Sequence, residues 1–476
     1  MKKKLVVTMV ALFVLALSFA LLPKKANAIP AFAQKYHFSC AVCHTVFPNL
    51  NPFGRAFWRN GFRLPGTNGT PADATQITEG LSLPNPWPIP VMVEPIISYQ
   101  HTTNENVSNA TDPFSAMVMI ADGGSFPLAN PLANSISFYV HYALNSMSNS
   151  MSNPISDIHI VASINGLGSG LGVAPHLFNL QLGNVMTASP YFYRSTAFYL
   201  TSSANESPVP SPIGNGQGLG VGYDGEATAL IHHRNPGFAL YGTPGYHLWY
   251  KVSVTNDAGS PNTSNGVNGA TALENTGSNA MEYSYQLKEY APIPMGQLEF
   301  GYYGATVAEP ISLVSNGSAW TNRVAVNGVD VDLANDVYEL GLTYMVQSDS
   351  NPYANNGAAL PAGVSQSNGY STFEVYGRYI LPVMNNGIML SADYAQYSWT
   401  HKNTQLEFLN GGNGTADNAG LYGGPSLPGT VYNGIQDALA LQAEINLALN
   451  AHLYLGYTIT NQNEDNLLGT GLDFAF

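Results

Sequence analysis

Charge is what this 476-residue chain has least of. Asp, Glu, Lys and Arg make up 10% of it, against about a quarter in an ordinary soluble domain. Cations are scarcer still, at 16 Lys and Arg against 30 Asp and Glu, and Lys2, Lys3, Lys4, Lys24 and Lys25 crowd into the first 25 positions. That balance argues against nucleic acid as a partner, because such binding needs basic patches. Cysteine is nearly absent: Cys40 and Cys43 are the only two, so a structural zinc site would lack its set of four ligands. Long apolar runs are limited to one, Leu5–Leu22. Sparse charge alone would fit disorder, but 45% hydrophobic residues supply enough apolar surface to argue against it.

The single apolar run follows Met1-Lys2-Lys3-Lys4 and precedes Ala26-Asn27-Ala28. A basic start, an apolar middle and a small-x-small end are the parts of a secretory leader. The run is also near the length that spans a bilayer, which would make it an uncleaved anchor. The well-formed cleavage site favours removal of residues 1–28 and export of a chain starting at Ile29. Removal takes five lysines and no acid, leaving 11 basic residues against 30 acidic ones and a formal net charge of −19.

Both cysteines lie in Cys40-Ala41-Val42-Cys43-His44. A Cys40–Cys43 disulfide would close a very small loop and remove little chain entropy. A C-x-x-C-H run also supplies what a covalent c-type haem needs, two thiols for its vinyl groups and an adjacent imidazole for its iron. Haem attached through Cys40 and Cys43, with His44 as axial ligand, is therefore the leading reading, ahead of a redox disulfide or another metal. The sixth ligand is open: His37, three residues before Cys40, Met92, whose thioether would raise the potential, a more distant Met or His of the barrel, and a vacant or water-bound position all remain.

From about Pro90 onward the pattern has period two. In ALALQAEINLAL (438–449), Leu439, Leu441, Ala443, Ile445 and Leu447 alternate with Ala440, Gln442, Glu444 and Asn446, and a helix would scatter those leucines around its surface. The alternation recurs at 246–254, 281–290, 298–303, 338–346, 373–381, 388–397 and 452–457. Strands of about ten residues, tyrosines near their ends, and tight turns alternating with long polar loops are the marks of a transmembrane barrel rather than a soluble sandwich. The tight connections are at 292–296, 382–386 and Asn450, and the long ones at 257–280, 348–370 and 400–436. The chain ends in an alternating strand closing on Phe476. We expect an all-β protein: a transmembrane antiparallel barrel of 16–18 strands over residues 90–476. Of its strands, Arg323–Val331 carries the weakest pattern. The inward charges would be Lys251, Glu282, Lys288, Glu299, Glu339, Glu374, Arg378, Asp393, Glu444 and Asp473, forming a solvated wall around an aqueous lumen.

Residues 29–89 are too few to build a core of their own around a haem. We expect a mostly helical or irregular monohaem cytochrome c segment that docks in the lumen. Phe47, Leu50, Phe53, Phe57, Trp58, Phe62 and Leu64 would cover the haem and pack on the wall. Prolines at 71, 84, 86, 88 and 90 give the stretch from Thr67 to Pro90 the look of a semi-extended linker.

Ile29-Pro30-Ala31-Phe32-Ala33, then Cys40-x-x-Cys43-His44-Thr45-x-x-Pro48-x-Leu50-Asn51-x-Phe53-Gly54-Arg55-x-Phe57-x-x-Asn60-Gly61-Phe62, resembles the front end of fused outer-membrane monohaem cytochrome c–porins. The best-known members of that family are Fe(II) oxidases of iron-oxidising bacteria. The resemblance implies an outer-membrane protein that takes electrons from extracellular Fe(II) and hands them through one covalent haem to a periplasmic c-type cytochrome or copper carrier. It leaves two alternatives: a cytochrome exporting electrons to external acceptors, and a transport porin with a structural haem. Its other partner would be outer-membrane lipid.

Overall fold

The computed structural model describes residues 42–46, 49–59, 75–78, 81–83, 92–102, 114–127, 133–145, 155–164, 178–186, 234–244, 247–256, 273–275, 281–313, 319–350, 368–381, 388–401, 437–448, 451–460 and 467–474. Sixteen of the described strands form a closed antiparallel wall. In chain order they are β1 (Met92–Thr102), β2 (Phe114–Pro127), β3 (Ala133–Asn145), β4 (Ile155–Ile164), β5 (Phe178–Met186), β6 (Arg234–Gly242), β7 (Leu248–Asn256) and β8 (Met281–Ile293). Then come β9 (Gly296–Leu313), β10 (Ala319–Ala334), β11 (Tyr338–Asp349), β12 (Asn368–Leu381), β13 (Ile388–His401), β14 (Asp437–Ala448), β15 (Ala451–Thr460) and β16 (Leu467–Phe474). Each pairs with its successor, and β16 closes the circle on β1 from Leu467↔Thr102 to Asp473↔Ile96. A seventeenth piece, Leu273–Asn275, pairs with the end of β9, while β7 pairs with β8 directly.

The alternation in the sequence becomes an inside and an outside. Glu299 is buried and Phe300 beside it is 50% exposed; Glu339 and Leu340 repeat the pattern, as do Tyr454 and Leu455. Exposed Leu, Val, Phe and Tyr therefore cover the outer face, and Glu, Asp, Lys, Gln and Ser face inward. This inverts a soluble protein, in which large apolar side chains are the ones buried.

The two ends of the barrel differ. At one, the connections are short: Pro294–Met295 between β8 and β9, Asn335–Val337 between β10 and β11, two residues between β14 and β15. Gly296 takes φ +145°, and a Cβ there would collide with the Ala334 carbonyl, so the β8–β9 turn needs glycine. Asn335 Oδ1 accepts from the amides of Val337 and Tyr338 at 2.8 and 2.9 Å. Its Nδ2 donates to the Met295 carbonyl at 2.9 Å, lacing adjacent turns together. The wall begins, at Met92, and ends, at Phe474, at this same short-turn end.

Two expectations change. Arg323–Val331, the weakest strand in the sequence, lies inside one of the longest, β10, paired along its length with β9 and β11. Within the stretch read as an extended linker, Thr75–Thr78 and Leu81–Leu83 pair as a small antiparallel ribbon. Residues 1–41, with the leader, the mature start, His37 and Cys40, lie outside the described residues.

Candidate functional site

Ahead of the barrel, His44–Val46 pairs with Asn49–Leu50, His44 opposite Leu50, and helix α1 follows at Pro52–Arg59. Asn51 is its N-cap. The Asn51 Oδ1 accepts from the Gly54 amide at 2.8 Å, and the Asn51 carbonyl takes the first helical bond from the Arg55 amide at 2.9 Å. Pro52 stands at the first helical position, where a missing amide costs nothing. The same asparagine holds the cysteine turn: its backbone amide donates to the Cys43 carbonyl at 2.9 Å and its Nδ2 to the Val42 carbonyl at 3.0 Å. Gly54 lets the helix approach so closely that any Cβ would meet the Cys43 carbonyl. Turn and helix are thus one unit.

Arg55 joins that unit to the barrel. Its Nε donates to the Leu50 carbonyl at 3.1 Å. Its Nη1 lies 3.4 Å from Glu299 on β9 and 3.1 Å from Asp332 on β10, and its Nη2 donates to Glu339 on β11. Arg378 on β12 reaches the other oxygen of Glu339 at 2.9 Å, and the Tyr376 hydroxyl donates to Asp332. One turn along α1, Arg59 donates to both oxygens of Glu299 at 3.3 and 3.2 Å. Lys288 on β8 completes the set, 2.8 Å from Asp330 and 3.6 Å from Glu299.

The set holds four cations, Arg55, Arg59, Lys288 and Arg378, and four carboxylates, Glu299, Asp330, Asp332 and Glu339, all with side chains at most 6% exposed. Charges this deep are tolerable only when paired. Burial of the Arg55 guanidinium opposes its charge, but Glu339, Asp332 and Glu299 outweigh that and raise its pKa well above the usual arginine value.

The rest of the contact is aromatic. The Arg59 guanidinium lies 4.5 Å from the Tyr290 ring centre and 5.5 Å from that of Trp249. Trp58 and Trp249 are tilted at 6.4 Å, and Lys251 Nζ stands 5.9 Å from the Trp58 ring. Since Glu299, Asp332, Glu339 and Trp249 all point inward, α1 lies inside the barrel. Glu299 is three residues from the β8–β9 turn, and Asp332 and Glu339 flank the β10–β11 turn, so the helix sits at the short-turn end.

Of the site residues read from sequence, Cys43 is half-buried in the turn that precedes α1, and His44 opens the small ribbon. Met92 opens β1 at the short-turn end; Cys40 and His37 fall outside the described residues. The donor chemistry fits a covalent haem: a thiol that is only half-buried, followed by histidine, on a turn whose backbone is pinned by Asn51 and Gly54. Among the described residues no group of three or more His, Cys, Asp or Glu is arranged to hold a bare metal ion.

Of the residues expected to pack on the wall, Phe57 is buried and Trp58 meets Trp249 on β7. Leu50 and Phe53 are half-buried, and Arg55 and Arg59 add an ionic grip that the aromatic reading did not include. Phe47, Phe62 and Leu64 lie outside the described residues. The inward charges are also not a solvated wall: apart from Asp473, whose side chain is not described, each is at most 6% exposed. Two arginines one helical turn apart, in a helix with no acid, were the available sign, because like charges at i and i+4 repel unless something outside the helix pairs them.

No family model matches the chain, and no curated protein matches it. Among solved structures, a triple mutant of the Rh. blastica porin is similar at 12% identity and a TM-score of 0.41, covering 81% of this chain and 99% of that one. OmpF of Salmonella typhi, in complex with daunomycin, is similar at 11% identity and a TM-score of 0.48, covering 81% of this chain and 97% of that one.

Proposed function

We propose that this protein is an outer-membrane c-type cytochrome that takes electrons from extracellular Fe(II) and delivers them to a periplasmic c-type cytochrome or copper carrier. The observation that carries this reading is the helix after the C-x-x-C-H turn, held inside a barrel by Arg55 and Arg59. A redox group on that turn would be carried inside the wall, near its short-turn end. The outer face of exposed Leu, Val, Phe and Tyr suits lipid.

Cys40 and Cys43 would hold a haem through thioethers and His44 would ligate its iron; a haem so bound would supply a one-electron centre. Fe(II) loses one electron and remains outside as Fe(III), and the carrier gains one. That division keeps an insoluble product out of the periplasm. The excess of inward carboxylates over inward cations on β7–β14 favours cations approaching the lumen, and the resemblance of the front end supports iron as donor.

The test is a visible spectrum of the purified, oxidised protein with Fe(II) added at low and at neutral pH. Reduction of a covalent haem, lost in Cys40→Ala and Cys43→Ala, is the expected result. A chain with covalent haem that Fe(II) reduces at neither pH is no iron oxidase.

A further inference from the structure

We propose that Arg55 is the positioning residue of the C-x-x-C-H turn, the side chain that sets where the turn stands on the lumen wall; this rests on the haem reading above. Two observations meet in it. Glu299 and Asp332 are register partners across the β9–β10 ladder, an arrangement of like charges that destabilises a strand pair. Both are buried, and the Arg55 Nη1 lies between them while its Nη2 takes Glu339 from the next strand. At this point the wall therefore demands a cation. On its other side the guanidinium donates through Nε to the Leu50 carbonyl, and Leu50 is the ladder partner of His44. One planar group thus ties three strands to the backbone opposite the iron-ligating histidine. Lysine cannot replace it, because a point charge lacks the fork of donors. Arg59, held by Glu299, Trp249 and Tyr290, fixes the far end of the helix.

The experiment compares full-length wild type with Arg55→Gln, Arg55→Lys and, as a control at an exposed site, Arg323→Gln. Each is checked for a folded barrel by heat-shifted gel mobility. Covalent haem content, midpoint potential and conductance in planar bilayers are then measured. Arg55→Gln is expected to keep one haem per chain, to shift the potential, and to raise conductance above that of wild type. Arg55→Lys should recover only part of either change, and Arg323→Gln should match wild type. Wild-type potential and conductance in Arg55→Gln would overturn the proposal, as would full recovery in Arg55→Lys, which would mean that charge alone suffices. If wild type carries no covalent haem, the functional reading fails, and conductance decides the role of Arg55 by itself. An Arg55→Gln chain that gives no folded barrel is replaced by Glu339→Gln, which removes one of the three wall contacts; unchanged conductance there would likewise count against the proposal.

Discussion

Glu299 and Asp332 stand opposite each other across the β9–β10 ladder, both buried, and one nitrogen of Arg55 lies 3.4 Å from the first and 3.1 Å from the second. Removing one partner of a buried ion pair costs about 3–5 kcal/mol, since the other charge is left stranded. Arg55→Ala is expected to destabilise the protein by that amount in denaturant unfolding. With Glu299→Gln and Asp332→Asn already in place the same substitution should cost less, by roughly 0.5–3 kcal/mol of coupling. Equal costs in both backgrounds would mean that the three groups act independently.

The anchor should also resist alkali. The folded-state pKa of Arg55 is raised, so its contribution is complete below the unfolded value and is lost only as pH rises through the folded one, beyond the ordinary range. Replacing it with lysine moves that window down toward the usual value of about 10.4. Protease cleavage after residue 59, followed against pH, should stay low in wild type up to pH of about 11 and rise in Arg55→Lys above about 10. Parallel curves would reject this.

The N-cap is the second support of the turn. Asn51→Ala removes the acceptor for the Gly54 amide and the donor to Val42, and loss of a cap costs about 0.5–2 kcal/mol. Gly54→Ala drives a methyl into the Cys43 carbonyl, and overpacking costs about 1–3 kcal/mol. Both variants should lower covalent haem yield while the barrel retains its heat-shifted mobility. Full yield in both would separate the turn from the helix.

The outer face makes a simpler claim. Lysine at Tyr344 or Val375, both outward, about two-fifths exposed and midway along β11 and β12, should weaken folding into lipid vesicles by about 2–4 kcal/mol. Lysine at exposed Val337, in the β10–β11 turn, should cost little. A soluble barrel would tolerate all three alike.

Much of the wall was legible because period two is local. Leu439 and Leu441 declare an outer face and Gln442 and Glu444 an inner one without knowledge of their neighbours. β10 was harder to read: Asn322, Asn327 and Gly328 interrupt the alternation, and Asp330 and Asp332 look like turn residues until Lys288 and Arg55 are seen beside them. The ionic grip of α1 was not legible from its aromatic residues, because which side of a helix meets which strand is decided here over separations of 240 residues or more. The turn was legible as chemistry in Cys43-His44, and its fixing by Asn51 and Gly54 is a cap signal lying in plain view.

The strands that hold α1 run from β7 to β11 and are centred on β9, and the pair that closes the circle is β16 with β1. In a ring of sixteen these are on opposite sides. Nothing the helix grips changes neighbours when the seam shuts, so an open, half-built curl of strands already offers the whole socket. The guest need not be threaded through a finished ring; it can be seated first and enclosed afterwards.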